Sequence, residues 1–314
     1  MNFKLNFEIP QPDFQIKHGE GVLFLGSCFS DEIASTSKYY GLKVMSNPFG
    51  TVFHPSLLGR FISESINKVE VERLLNREDI HLSWDANSSI YDFSPEKLTL
   101  KLRQLRADFV NELMHSKVIF ITFGTAWVYR LLSDNQLVAN CHKVPSNNFT
   151  KEISSIDQLT AEWENVLDIL HSINPNLKIV FTVSPVRHSK DGMIENNQSK
   201  SVLIETIRRI QESRNCYYFP SYEIVIDELR DYRFFKEDRV HPSEEAIKYL
   251  WERFEETYFT KSTIDLNLKV AELRKGIQHR SIHEDSNENC IWKVTIENPE
   301  QGENPIYKGV VIRL

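Results

Sequence analysis

The stretch that most narrows the fold of this chain is Gly21-Val-Leu-Phe-Leu-Gly26-Ser27-Cys28-Phe29-Ser30-Asp31-Glu32-Ile33. Four consecutive apolar residues, Val22–Leu25, end at a glycine, and two small residues with nucleophilic side-chain atoms follow at once. Ser30-Asp31-Glu32 then has the composition of a helix start: a capping residue, then two acids against the positive end of the helix dipole. A buried strand that stops at a tight turn and enters a helix presents that turn at the carboxyl edge of a sheet. In open α/β sheets this edge is where ligands bind.

The same punctuation recurs along the chain. Further strands are expected at Leu42–Met45, Val118–Phe123, Lys178–Val183 and Cys216–Phe219. Helices are expected over Asp31–Tyr40, from His54 to Ile66, from Ser94 to Met114, and over Ser155–Ile173, Lys200–Arg214 and Tyr222–Arg230, with a last one from Ser243 to Tyr258. The helix after Ser94 carries Leu98, Leu100, Leu102, Leu105, Phe109 and Leu113, mostly at helical spacing. Glu70–Arg77 reads as a charged helix, His81–Trp84 with Ile90–Phe93 as a hairpin, and Val128–Leu132 with Gln136–Asn140 as a second hairpin. Residues 1–20, with Pro10 and Pro12, read as an irregular leader. Strands alternating with helices imply a three-layer α/β/α sandwich around a mostly parallel, doubly wound, five-stranded sheet over residues 18–258. Residues 259–314 break this rhythm and read as a small extension packed on the domain, with a helix at Leu266–Ile282 and strands at Cys290–Ile296 and Lys308–Arg313.

Composition excludes some partners. A net charge of -7 and a pI near 5.9 argue against nucleic acid or an anionic membrane. Apolar runs reach only about four residues, far from the roughly 20 that span a bilayer. The first residues show neither a charged segment followed by an apolar block nor a cleavage site. Cys28, Cys141, Cys216 and Cys290 are scattered without a CxxC pair, which suits free thiols in a reducing cytoplasm. Oligomeric state is not legible.

Three places carry candidate chemistry. Cys28 follows a strand and precedes a helix, where dipole and free amides lower a thiol's pKa; the alternative is a small cysteine filling space under the helix. Ser27 is the neighbouring candidate nucleophile. Asp238 stands three residues before His241 on a loop, where it can orient one ring nitrogen and leave the other as general base. Gly50 and Gly124 close strand ends, where backbone N–H groups can reach an oxyanion. Arg187 and His188 end the strand Lys178–Val183 at the same edge, where Arg187 suits a carboxylate or phosphate clamp. Cys141-His142 has no second ligand pair at metal spacing, so no metal site is expected.

Taken together these elements resemble the SGNH (GDSL-like) hydrolase superfamily, and more closely the GSCFA family within it. The resemblance rests on Gly26-Ser-Cys-Phe29, Asn47-Pro-Phe-Gly50, Gly124-Thr-Ala-Trp127, Asn140-Cys-His-Lys143, Ser184-Pro-Val-Arg-His188 and Asp238-Arg-Val-His241-Pro242. It implies a Cys28–His241–Asp238 triad, with Cys28 at the superfamily's serine position and Ser27 replacing its aspartate. Gly50 and Gly124 match the glycines of the second and third blocks. Ala126 stands where the superfamily has an oxyanion asparagine, and losing one such donor costs about 10²–10³ in rate. Asn47, Trp127 or a backbone amide is the candidate replacement. The implied activity is hydrolysis or transfer of an acyl group on a small-molecule or carbohydrate-linked substrate, without a cofactor. The alternative is a catalytically impaired protein that binds an acylated or carbohydrate ligand.

Overall fold

All six residues of Gly21–Gly26 are buried, so the strand they form, β1, must be covered on both faces. The computed structural model describes residues 5, 7–69, 72–278, 291–293 and 311–313. After β1 come α1 (Cys28–Tyr39), β2 (Lys43–Ser46) and α2 (Pro55–Ile66). An antiparallel sheet of β3 (Leu74–Arg77), β4 (Ile80–Ser83) and β5 (Tyr91–Asp92) precedes α3 (Pro95–His115) and β6 (Ser116–Phe123). A second antiparallel sheet, ordered β8-β7-β9, is made of β7 (Trp127–Leu131), β8 (Leu137–Val138) and β9 (Phe149–Ile153). Then follow α4 (Ile156–Ile173), β10 (Lys178–Val183), α5 (Met193–Ser213), β11 (Tyr217–Tyr218), the single turn α6 (Ser221–Glu223), α7 (Glu244–Tyr258) and α8 (Lys261–Gln278).

The central sheet runs β2-β1-β6-β10-β11, and every neighbouring pair is parallel. In sheet-strand order this is 2-1-3-4-5, a doubly wound sheet whose topological switch lies between β1 and β6. Strand residues alternate between two cores, as the two-residue period of a strand requires. Leu23, Leu25, Ile119, Ile121, Ile179 and Phe181 face the layer of α2, α3, α4 and α5, where Trp163 packs on Phe123 and Phe181. Val22, Phe24, Val118, Phe120 and Val180 face α1 and α7, through a cluster of Phe24, Phe120, Phe219, Phe254 and Tyr258. The three-layer α/β/α sandwich with a five-stranded sheet is therefore as expected.

Local assignments differ where tertiary contacts override propensity. Leu74–Arg77, expected as part of a helix, is β3, because Glu78 turns at φ +54° and hands the chain to the ladder with β4. The flanking charges find distant partners there: Arg73 pairs with Asp85 and Asp134, and Glu72 with Arg106. The helix expected over Tyr222–Arg230 is the short α6 followed by a π-helical turn at Ile224–Glu228. On α3, Leu98, Leu102, Phe109 and Leu113 are buried, while Leu100 faces solvent. The leader is irregular but not idle, since Ile9, Phe14 and Ile16 are buried in the α1–α7 core and Ile16 bridges to Phe259.

The chain divides into two compact units, one up to Ile264 and one from Asp265 onward. The second holds most of α8 and an antiparallel pair, β12 (Ile291–Lys293) and β13 (Val311–Arg313), within the stretches expected as strands. Cys290 lies outside the described residues.

Two stability effects follow. Gly26 has φ +125°, and a Cβ there would lie 2.0 Å from the Thr122 carbonyl oxygen. Backbone strain and overpacking together should make Gly26→Ala roughly 3 kcal/mol less stable in urea unfolding, and a loss below about 1 kcal/mol would contradict this account. His54 caps α2 by accepting the Ser56 amide on Nδ1 (3.2 Å), while Nε2 lies 3.2 Å from the Ala126 carbonyl. Burial pushes its pKa down from 6.5 to about 3, so the unfolded chain binds the extra proton in that window. The stabilisation held by neutral His54 is present above pH 6.5 and is lost as pH falls toward 3. The melting-temperature advantage of the wild-type chain over His54→Gln should accordingly shrink between neutral pH and pH about 4.

Candidate active site

The turn after β1 is built by three devices. Gly26 lets the backbone cross close to Thr122. Ser27, only 1% exposed, is the N-cap of α1, and its hydroxyl accepts the Phe29 amide (3.3 Å). Asn47, at φ +37°, straps the turn, with Oδ1 accepting the Gly26 amide (2.7 Å) and Nδ2 reaching the Ser27 carbonyl at 3.5 Å. Ser30 was the expected cap but lies inside α1. Its hydroxyl donates to the Leu25 carbonyl (3.0 Å) and meets Thr122 Oγ1 (2.7 Å). The helix therefore starts earlier than expected, and Cys28 is its first residue.

That position does not by itself activate the thiol, contrary to the expectation from the helix start. Burial raises the Cys28 pKa, and Glu32 and Asp31 in the same helix raise it further, against a smaller lowering by the amides of Cys28 and Phe29. The amides of the helix start act in the expected direction, but desolvation and two neighbouring carboxylates outweigh them.

Asp238 and His241 meet as the sequence predicts. His241 Nδ1 is 2.7 Å from Asp238 Oδ2, and Asp238 Oδ1 accepts the amides of Val240 (2.8 Å) and His241 (3.0 Å). Those bonds, the His241 amide first, hold the Asp238 carboxyl well below the usual carboxylate range. Nδ1 being occupied, Nε2 is the nitrogen available for proton transfer. Arg239 turns the loop at φ +60°, and Ser243 behind it caps α7 with its hydroxyl.

Arg187 holds this loop. Its backbone amide donates to the Val240 carbonyl (3.3 Å), Nη1 donates to the Arg239 carbonyl (2.9 Å), and its guanidinium lies 4.0 Å from the Phe235 ring centre. On the other side, Lys236 reaches Glu32 of α1 (3.5 Å), which brings the His241 loop to the helix that Cys28 begins. His188 packs edge-on against Phe53, and its amide donates to Asn196 Oδ1 (2.9 Å). Burial first, then the charge of Lys200, pushes its pKa down to about 4, with His241 acting in the same direction.

The turn after β6 is closed on every side. The amides of Gly124 and Thr125 both donate to the Phe53 carbonyl (2.8 and 3.1 Å). The Ala126 amide donates to Ser199 Oγ (2.7 Å). The Gly50 amide is likewise committed, to the Asn47 carbonyl (2.8 Å). Neither glycine therefore presents a free N–H to an oxyanion. Trp127 turns to α5, where Nε1 donates to the Glu195 carbonyl (3.1 Å) and the Lys151 ammonium lies 4.7 Å from its ring centre. His142 is structural, placed 2.7 Å from the Ser83 carbonyl and 2.9 Å from Ser88 Oγ. Among the described residues no group of three or more His, Cys, Asp or Glu gathers as a metal site, and no helix is long and apolar enough to cross a membrane.

The residue that sequence reasoning passed over is Lys200. Its side chain is buried, and its ammonium donates to the Gly124 carbonyl (2.7 Å) and the Ser184 carbonyl (2.8 Å), at the ends of β6 and β10. Burial lowers its pKa to about 7, against an opposing attraction from Cys28. A signal was available: Lys200 shares the α5 stripe of Leu203, Ile207 and Ile210, all buried, where a charged residue is out of place.

No curated protein sequence matches the chain. Among solved structures it is similar to a carbohydrate esterase of family 3 from Talaromyces cellulolyticus, with 8% identity and a TM-score of 0.37, over 82% of this chain and 99% of the other. It is also similar to a family two carbohydrate esterase from Clostridium thermocellum in complex with cellohexaose (13%, 0.39, 83% and 66%). A third is a protein assigned as a GDSL-like lipase from Parabacteroides merdae (13%, 0.42, 78% and 98%). The model of the GSCFA family matches residues 21–254, from β1 into α7 and across all the site residues above, and the chain belongs to that family.

Proposed function

We propose that the protein hydrolyses or transfers acyl groups through a covalent acyl-cysteine at Cys28. The observation that carries this is the pre-oriented Asp238–His241 pair, tied through Lys236 and Glu32 to the helix whose first residue is Cys28. In the first half, the thiolate attacks the acyl carbonyl carbon, and His241 Nε2 takes the thiol proton and delivers it to the departing alkoxide, thiolate or amine. The leaving group departs as its neutral acid and the acyl group remains on sulfur. In the second half, His241 removes a proton from water or an acceptor hydroxyl, whose oxygen displaces the sulfur, and the proton returns to Cys28. Asp238 holds the ring tautomer and stabilises the imidazolium that forms twice per cycle.

The oxyanion in this scheme meets the Cys28 amide, one of the N–H groups a helix start leaves without an intrahelical partner, and Asn47 Nδ2, whose present contact is long. Ser27 is assigned to structure, because its hydroxyl is buried and caps α1. A thiol nucleophile suits thioesters and activated acyl groups better than oxyesters, whose tetrahedral adduct expels the better leaving thiolate. The substrate class proposed is an acyl group carried by a small molecule or a carbohydrate. A second reading, ligand binding without turnover, draws on the commitment of the Gly50 and Gly124 amides and on Ala126 at the asparagine position.

An acyl-thioester probe followed by intact mass separates these. Wild type should gain one acyl group and Cys28→Ala none, whereas Ser27→Ala should still be acylated while losing about 1 kcal/mol of stability with its cap. His241→Ala should slow acylation by about 10²–10⁴. A wild-type protein that stays unmodified would leave only the binding reading. Acylation of Cys28→Ala at the wild-type rate would refute the nucleophile assignment.

A further inference from the structure

Proton transfer by His241 needs its ring held in place, because a displacement of about 1 Å in a reacting group can cost about 10² in rate. His241 lies on a hairpin that closes on itself. The Lys236 amide donates to the His241 carbonyl (2.7 Å), the Arg239 amide to the Lys236 carbonyl (2.9 Å) and the Ser243 amide to the Phe234 carbonyl (2.8 Å). Phe235 and Pro242 pair across its base. Asp238 takes the amides of Val240 and His241 as well as the ring, so the hairpin's own bonds set the imidazole against the carboxylate. They do not set the hairpin against the sheet edge. That placement has to come from contacts with other elements.

One such contact is the Lys236–Glu32 pair, at 3.5 Å with both side chains 48% exposed, and exposed ion pairs hold weakly. A second is Arg187. Its backbone amide donates to the Val240 carbonyl and its Nη1 to the Arg239 carbonyl, two consecutive acceptors at the hairpin's tip. Its guanidinium also lies 4.0 Å from the ring centre of Phe235, at the base, and 5.4 Å from that of Tyr232. Arg239 is the residue at φ +60°, a conformation that a residue other than glycine keeps only where its surroundings hold it. The Nη1 bond falls on the carbonyl of that same residue.

Arg187 stands on a stiff footing. The Ser184 amide donates to the Phe123 carbonyl (2.8 Å), and the Val186 amide to Ser184 Oγ (3.3 Å). The buried Lys200 ammonium donates to the carbonyls of Gly124 and Ser184, and so joins the ends of β6 and β10 just before the chain reaches Arg187. A guanidinium stacks on a ring and donates in its own plane at once, which an ammonium does not.

We propose that Arg187 is the positioning residue of the general base: by holding the Arg239 carbonyl while resting on the Phe235 ring, it fixes where the His241 hairpin sits at the sheet edge. This deepens the acyl-cysteine assignment and rests on it, since the proton it helps to place is the one His241 Nε2 carries. Arg187 acts through the histidine and leaves substrate binding alone.

The test is the saturation kinetics of the acyl-thioester probe with the full chain. In Arg187→Met the maximal acylation rate should fall about 10- to 100-fold, while the half-saturating probe concentration stays within about twofold of wild type. On a His241→Ala background the same substitution should slow acylation by less than about twofold, because the group it positions is gone. A raised half-saturating concentration with an unchanged maximal rate would make Arg187 a substrate clamp and overturn the proposal. Full additivity of the two substitutions overturns it too. Should Arg187→Met fail to fold, Arg187→Lys, which keeps the charge but loses the fork, carries the same comparisons. Hydrogen exchange read by peptide mass keeps the two claims apart. Peptides covering residues 234–243 should exchange about tenfold faster in Arg187→Met, with those of α3 unchanged. Acylation and exchange that are both indifferent to Arg187 remove the positioning role and leave the acyl-cysteine. A wild-type chain that the probe never acylates removes the acyl-cysteine, and the general-base role with it, whatever the exchange shows.

Discussion

Gly26 is held so close to Thr122 that no side chain fits between them, and the site is arranged around that contact. The close approach allows β1 to end level with β6 and to turn at once into α1. Ser27 can then cap the helix, Asn47 can brace the turn, and Cys28 becomes the first helical residue at the topological switch of the sheet. The crossing also joins the two layers, because Ser30 of α1 reaches Thr122 of β6 through their hydroxyls.

Around that turn the loops brace one another. The carbonyl of Phe53 takes both amides of the Gly124–Thr125 turn, Ser199 takes the next amide, and Lys200 takes the Gly124 carbonyl. Arg187 holds the Asp238–His241 loop from the end of β10, and Glu32 of α1 holds it through Lys236. The polar groups that act in the proposed scheme are few: the Cys28 sulfur and amide, the outer nitrogen of His241, and the Nδ2 of Asn47. In a site with so few free donors, the electrostatics of the sulfur decide what the geometry can do. Burial and two acids push it toward the thiol, and two helix amides act more weakly toward the thiolate.

Local features were legible and distant ones were not. The Asp238–His241 pair was readable because three residues on one loop bring carboxylate and ring together without help from elsewhere. The strands were readable because β1 and β6 are apolar runs that only a two-faced core accommodates. Leu74–Arg77 was misread, since its charges look helical in sequence and their partners Asp85, Asp134 and Arg106 lie on other elements. Arg187 also braces the Asp238–His241 loop, which nothing in Ser184–His188 shows, because its partner, the Arg239 carbonyl, lies 52 residues away.

The sequence by itself determined the alternation of strands and helices, the family, and the pairing of Asp238 with His241. Each of these is written in periodicity, caps or short spacings, and such signals act over a few residues. Only the tertiary structure decided that the Gly124 amide is committed, that Ser27 is a buried cap, that burial and two acids raise the Cys28 pKa, and that Lys200 is buried on the Gly124 and Ser184 carbonyls. Hydrogen-bond commitment and burial depend on groups distant in the chain, and short-range patterns carry no record of them.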